Sequence, residues 1–347
     1  MASAPHRTKL EHLEISSIGL GTYLGPCDSE SDVQLRAVLQ RAHELGINFV
    51  DTAANYRGGR SERVIGEFLR DLPKAEADRW VVATKLGFLP GDPDPATGSS
   101  DQTYFTRTYL RSGVVRPEAL FGEWQCYHPS YLNWQAEQSF MALGRRRIDI
   151  LYFHNPEAAL LTTTRAEFEA IMRQAFRWGG AMVRGGCVKY LGLATWGGLL
   201  GTSEKEAIDL VELSTWAREE GAGEALRFVQ APVSIGMPQA FLKKSQRLVS
   251  GEAASLVRCA AALGYHVIGS APFLNGKLHK VSCPPELKDA LALHRPSQAY
   301  LEFARSVPGV GATLVGTLSI AHLEEAAELL GWPPQRDRVI NFLGGGT

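Results

Sequence analysis

Four ionisable residues of different chemistry stand at or just beyond the ends of apolar runs in the first half of the chain. Ile47-Asn48-Phe49-Val50 leads into Asp51, Trp80-Val81-Val82-Ala83-Thr84 into Lys85, and Ile148 through Phe153 into His154, with Tyr56 five positions past the aspartate. A carboxylate, an ammonium, a phenol and an imidazole make a proton-handling set. A carbonyl that receives a hydride becomes an alkoxide and needs a proton donor at its oxygen, yet a phenol of pKa about 10 is a reluctant acid at neutral pH. A neighbouring ammonium favours the phenolate and lowers that pKa, while a carboxylate holds the ammonium charged. An imidazole can donate a hydrogen bond to the same oxygen. Taken singly, a strand-end aspartate is a capping residue and a lone histidine a structural one. Recurrence at successive strand ends is what points to a site.

Runs this rich in β-branched and aromatic residues suit parallel strands buried on both faces. Eight occur, near residues 16–22, 47–51, 79–85, 148–154, 188–195, 226–231, 266–271 and 312–317. Helical patterns alternate with them. In the first, Leu35, Val38, Leu39, Ala42 and Leu45 share a face, serines and Asp32 crowd the start and Gly46 follows the end. The others fall near 61–72, 131–143, 165–183, 204–220, 252–263, 297–306 and 319–330. Eight βα repeats predict an α/β fold, a (β/α)8 TIM barrel, as one domain over residues 1–347. A doubly wound sheet would want a glycine-rich nucleotide turn after its first strand, and Gly19-Leu20-Gly21-Thr22-Tyr23-Leu24-Gly25 lacks that spacing.

Two connections are long and are placed by the barrel on its catalytic face. Residues 86–130 contain Gly91-Asp92-Pro93-Asp94-Pro95, then Tyr104, Phe105, Tyr109, Phe121, Trp124 and Tyr127. This aromatic content predicts a substrate lid with apolar walls, suited to a bulky carbonyl compound more than to a small sugar. Residues 232–250 carry Lys243, Lys244 and Arg247, a solvated basic cluster or contacts for an anionic ligand. Asn155 and Glu157, just past His154, are expected at the same mouth, where Asn155-Pro156 could instead be only a turn.

Lysine plus arginine (36) and aspartate plus glutamate (37) nearly cancel, so no net field favours nucleic acid or an acidic membrane surface. No run approaches a membrane span, and Met1-Ala2-Ser3-Ala4-Pro5-His6-Arg7 lacks the apolar segment of a secretory signal. Cys27, Cys126, Cys187, Cys259 and Cys283 form no C-x-x-C pair, and their odd number argues against a disulfide scaffold. A reducing, cytoplasmic setting is expected. Cys126 and His128 lack partners at ligand spacing, so no metal site is expected.

Phe49-Val50-Asp51-Thr52-Ala53-Ala54-Asn55-Tyr56 followed by Ser61-Glu62, then Ala83-Thr84-Lys85, then Asp149-Ile150-Leu151-Tyr152-Phe153-His154 resemble, in this order, the motifs of the aldo-keto reductases. The likeness covers almost the whole chain. It implies that Asp51, Tyr56, Lys85 and His154 form a catalytic tetrad for nicotinamide-dependent carbonyl reduction, with NADP or NAD as cofactor. It places the cofactor on Thr22, Tyr23, Asp51, Thr195, Gln230, Ser270, Gly316, Thr317, Ser319 and Glu325. Backbone N–H groups at Gly316 and Thr317, with Ser319 opening a helix, could hold a pyrophosphate or ribose phosphate.

Several positions depart from the family. The lysine or arginine usual near Ser319 is missing, with Leu318 and His322 in that stretch, and the asparagine expected after Glu325 is Ala326. Ala194-Thr195-Trp196 stands where the family shows Ser-Asn, and Ser270 where an aromatic stacks on nicotinamide, with Phe273, three positions on, an aromatic that could lean in. These departures mark a divergent bacterial-type member with a long insertion after the third strand, and they weaken the case for a strong NADPH preference. The expected activity is reduction of an aldehyde or ketone to an alcohol, or the reverse, with Tyr56 as general acid or base. The expected partner is a small-molecule carbonyl or alcohol, with no nucleic acid and no membrane; the sequence leaves the oligomeric state open. Two rivals use the same residues: a non-redox enzyme that enolises, dehydrates or epimerises beside a carbonyl, and a barrel that senses nicotinamide nucleotide without turnover.

Overall fold

The computed structural model describes residues 5–94, 101–122 and 124–344, so Met1–Ala4 of the amino-terminal stretch and Pro95 of the Gly91–Pro95 run lie outside the described residues. Eight parallel strands, each hydrogen-bonded to the next in chain order, close into a barrel. They are β1 (Ile18–Gly21), β2 (Phe49–Asp51), β3 (Val81–Leu86), β4 (Ile148–His154), β5 (Val188–Ala194), β6 (Leu226–Pro232), β7 (His266–Ser270) and β8 (Val310–Gly316). Each falls on one of the eight apolar runs. Alternation along the strands sorts their side chains: Phe49, Val81, Ala83, Ile150, Tyr152, Phe228, Ile268 and Leu314 fill the interior, while Val50, Val82, Leu151, Phe153, Leu193 and Val229 join the core beneath the helices.

The helices that cover the strands are α1 (Ser29–Glu44), α2 (Arg60–Asp71), α3 (Pro129–Leu143), α4 (Arg165–Arg184), α5 (Leu210–Glu219), α6 (Leu256–Ala262), α7 (Pro296–Ser306) and α8 (Ile320–Ala327). Local chemistry sets their ends. The Asp28 carboxylate accepts from Ser31 N at 2.8 Å to start α1, and Thr164 with Glu167 forms a capping box on α4. Asp209 caps α5, so that helix begins after the turn-rich stretch 201–208 rather than at 204. The pattern near 319–330 divides into α8 and a 3-10 turn, Glu328–Gly331.

An antiparallel hairpin, Arg7–Leu10 with Leu13–Ser16, escapes the periodicity because each arm has four residues. Its Leu10, Leu13 and Ile15 pack on Phe49 and Val81 and close the barrel where the strands begin. The opposite rim is open. Parallel register pairs Gly21 with Asp51, Asp51 with Ala83, Lys85 with Tyr152, His154 with Ala194, and Ala194 with Gln230, so the polar strand ends meet there.

Among the described residues, the aromatics expected to wall a lid in the insertion after β3 instead pack as a buttress. Asp101–Phe105 is helical and runs into a π turn, Thr106–Leu110, and Leu120–Phe121 pairs with Gln125–Cys126 as a hairpin. Leu89, Phe105, Tyr109, Val115 and Cys126 form a separate apolar cluster with Tyr131 of α3, and Tyr104, Trp124 and Trp134 pack against it. The aromatics bury one another against α3, so their number reports a small core rather than a substrate wall. Hydrogen bonds seal the join: Tyr109 OH donates to Pro90 O at 2.6 Å, Tyr131 OH to Phe88 O at 2.9 Å, and Gly87 N to Gln135 Oε1 at 2.8 Å. Gly87 adopts a φ of 125°, and a Cβ there would stand 2.1 Å from the Tyr127 ring. Among the described residues no helix is long and apolar enough to cross a membrane.

Candidate active site

The strand ends enclose a cavity of about 930 Å³, within the range of small-molecule sites. Asp51 ends β2, and the chain then turns through Tyr56–Gly59, where Arg57 and Gly58 hold left-handed φ values of 53° and 61°. The turn is secured by the Arg57 guanidinium, which donates to Pro26 O at 2.9 Å, Asp28 O at 3.0 Å and Asp32 Oδ1 at 2.7 Å, tying it to the loop after β1 and the first turn of α1. Tyr56 is thereby carried back over the end of β3, where Lys85 is 1% exposed.

Lys85 Nζ has three acceptors: Asp51 Oδ1 at 2.5 Å, Thr52 O at 2.9 Å and Tyr56 OH at 3.1 Å. The other Asp51 oxygen accepts from Gln230 Nε2 at 2.7 Å. His154 contacts the same phenol edge-on, ring centroids 6.0 Å apart, and meets Phe88 at 4.8 Å on its other side. All four predicted tetrad residues therefore converge. Tyr56, His154 and Asp51 line the cavity, and Lys85 is buried beside them.

Burial works against the charge on Lys85, but Asp51 and Tyr56 raise its pKa above the usual lysine value. Burial also pushes the Tyr56 phenol up; Lys85 pulls it down, less strongly, and Asp51 and Tyr23 add to the rise. The net direction is upward, against the lowering expected, because burial outweighs the pull of an ammonium that is shared with the Asp51 carboxylate. Tyr56 is held protonated at neutral pH, the form a proton donor requires. Burial, aided by Lys85, pushes His154 well below the usual histidine value, so the imidazole is neutral. Its Nδ1 and the nearby Asn55 Oδ1 are buried without a protein partner among the described residues.

Nine of the ten residues assigned to a cofactor, Thr22, Tyr23, Asp51, Thr195, Gln230, Ser270, Gly316, Thr317 and Ser319, line this one cavity. Glu325 does not; its carboxylate accepts from Ser297 Oγ on α7. Thr195 and Gln230 line the wall while their polar groups are engaged within the protein, Thr195 with Glu157 and Gln230 with Asp51. Ser270 leaves its aromatic position small, and Phe273, stacked on His279 at 5.0 Å, fills part of the wall instead. Lys243, Lys244 and Arg247 stay out of the lining: Lys243 donates to Gly201 O and Arg247 to Gly251 O at 3.5 Å.

Asn155 lines the mouth, whereas Glu157 turns away from it. Glu157 Oε1 collects the Thr195 hydroxyl at 2.7 Å and the backbone N–H groups of Trp196, Gly197 and Gly198 at 2.9, 3.2 and 3.1 Å. One carboxylate thus shapes the cavity wall after β5. The insertion has a comparable task at His154, whose carbonyl accepts from Gln125 Nε2 and Tyr127 OH, both at 2.8 Å. Polar side chains that bond backbone have no characteristic spacing, and so the supporting roles of Gln125, Tyr127 and Arg57 carry no signal in the sequence. Phe88, Gln34 and His279 also line the cavity and carry no sequence signal, since loop and helix residues reach the rim only through the tertiary fold.

The model of the Aldo/keto reductase family matches residues 17–200, more than half of the chain. Among curated proteins, the chain is 34% identical over 130 residues to D-threo-aldose 1-dehydrogenase of a Pseudomonas species, covering 37% of this chain and 35% of that one. It is 36% identical over 83 residues to NADH-specific methylglyoxal reductase of Escherichia coli, covering 22% and 24%. The matched stretches thus span about a quarter to a third of these relatives' length. An aldo-keto reductase from Klebsiella pneumoniae, solved in complex with NADPH, shares the fold with a TM-score of 0.62 at 17% identity, covering 99% of this chain and 94% of that one.

Proposed function

This chain belongs to the aldo-keto reductase family, and we propose that it is an NAD(P)H-dependent oxidoreductase that interconverts an aldehyde or ketone and its alcohol. The observation that carries the reading is Lys85 Nζ, buried behind one cavity, at 2.5 Å from Asp51 Oδ1 and 3.1 Å from Tyr56 OH, two residues that line that cavity. The cavity suits a nicotinamide dinucleotide. Unpartnered polar atoms sit on its wall at His154 and Asn55, and the turn through Gly316 and Thr317 brings the start of α8 to the same wall, a setting suited to a pyrophosphate. Thr22, Tyr23, Ser270, Gly316, Thr317 and Ser319 would hold the nucleotide.

When bound, the nicotinamide supplies the hydride for reduction or takes it up in oxidation. Tyr56 gives its phenolic proton to the substrate oxygen as that oxygen gains negative charge, and the reverse transfer serves oxidation. Lys85, kept charged by Asp51, stabilises the phenolate left behind until solvent returns a proton. Neutral His154 donates a hydrogen bond to the same oxygen and fixes its direction. Gln230 keeps Asp51 turned toward Lys85. The test is to mix the protein with NADH or NADPH and a panel of aldehydes and ketones and follow the nicotinamide absorbance. Carbonyl-dependent loss of absorbance is expected. Tight nucleotide binding with no turnover on any carbonyl, or carbonyl chemistry that needs no nucleotide, would overturn the reading.

A further inference from the structure

The cavity wall contains no lysine or arginine among the described residues: its polar members are hydroxyls, amides, backbone groups, three histidines and the Lys85-paired Asp51. Several arginines of the surrounding elements are paired with carboxylates. Arg41 donates to Glu44 and Glu324, each at 2.8 Å, Arg295 bonds Glu328 at 2.9 Å, and Arg57, Arg60 and Arg63 converge on Asp32. Lys277 and Lys280 flank lining residues in sequence but stay outside the lining. Beyond the Gly316–Ser319 wall, α8 and the turn after it carry Glu324, Glu325 and Glu328.

NADPH differs from NADH by one phosphate monoester, which adds roughly −1.5 to −2 charge near pH 7. Phosphate oxygens are held strongly by cationic donors, and a dianion brought to a wall without one loses water with little return. A ribose hydroxyl has no such need, since side chains such as Gln34, Ser319 and His322 can serve it. We propose that this cavity discriminates by charge and takes NADH in preference to NADPH. This inference rests on the nicotinamide reading above.

Trp196 lines the cavity and is 48% exposed, so it reports occupancy by quenching and by energy transfer to reduced nicotinamide. Titration of the whole protein with NADH and NADPH at about pH 8 and at low salt should give at least about tenfold tighter binding of NADH. His322→Arg should raise the affinity for NADPH relative to NADH about tenfold by placing a cation on the wall. NADPH bound as tightly as NADH by the wild-type protein would overturn the inference while leaving the nicotinamide reading intact. An unmoved ratio in folded His322→Arg would overturn the absence of a wall cation as its cause. Binding of neither nucleotide would overturn the nicotinamide reading, and the inference with it.

Discussion

Lys85 Nζ lies 3.1 Å from the Tyr56 hydroxyl and 4.6 Å from the centroid of the Tyr56 ring. One charge therefore acts on the phenol through a hydrogen bond and across the ring face, both favouring the phenolate that proton donation leaves. Lys85→Met is expected to lower kcat by about 10²- to 10⁴-fold, the range of a lost acid–base contribution. It should also raise the phenol pKa further, so oxidation, which needs the phenolate, suffers more than reduction at neutral pH. The variant strands Asp51 in a dry site, at a cost of roughly 3–5 kcal/mol. Lys85→Met/Asp51→Asn should recover most of that stability without recovering the rate, as read from denaturant unfolding and steady-state kinetics. Recovery of both would show that Lys85 serves only the fold.

Glu62, on α2, is buried and accepts from Thr84 Oγ at 2.6 Å and Ser139 Oγ at 3.1 Å. Burial, only partly offset by these bonds and by Lys85, raises its pKa from 4.5 to about 7. A carboxyl raised on folding stabilises the protein fully below its unfolded pKa, and that contribution is lost as pH rises through the folded value. Between about pH 4.5 and 7 the wild type should lose on the order of 3 kcal/mol relative to Glu62→Gln. Denaturant midpoints of both proteins from pH 5 to 8 check this; parallel curves would contradict it.

The insertion reaches the site through Tyr127 and Gln125, which both donate to the His154 carbonyl. Tyr127→Phe leaves one donor in place and should cost about 1 kcal/mol of stability. Tyr127→Phe/Gln125→Ala frees the histidine backbone and should reduce kcat about tenfold by misplacing the imidazole, with a smaller change in nucleotide affinity. Equal losses in affinity and kcat would mean that the insertion supports the whole rim instead.

Glu157 Oε1 accepts four hydrogen bonds from residues 195–198, with the side chain 3% exposed. Glu157→Ala should release that wall, cost about 2–3 kcal/mol and weaken nucleotide binding, with a change in Trp196 emission as the direct sign of a moved loop.

The barrel and the four converging side chains were legible because both depend on signals local to each strand: a buried run, then a polar end. Eight runs in series leave few topologies open, and parallel register brings Asp51, Lys85 and His154 to one rim. The aromatics of residues 86–130 were legible as buried but not as buried against α3, since composition gives no direction. The net rise in the Tyr56 phenol pKa depends on how dry the assembled site is, a tertiary property without a sequence signature. Glu325 fell outside the lining because α8 turns it toward Ser297. Glu157, read as a mouth residue, shares the pattern of any strand-to-helix loop acid; its four donors lie about forty positions downstream.

The central claim is that Tyr56 delivers the proton while its neighbours tune and orient it. The most direct test is a single-turnover measurement with Tyr56→Phe and saturating reduced nucleotide, beside a binding titration of the same variant. Nucleotide binding close to wild type with carbonyl reduction slowed by at least about 10²-fold is the predicted result. Reduction within a few-fold of wild type would contradict the account.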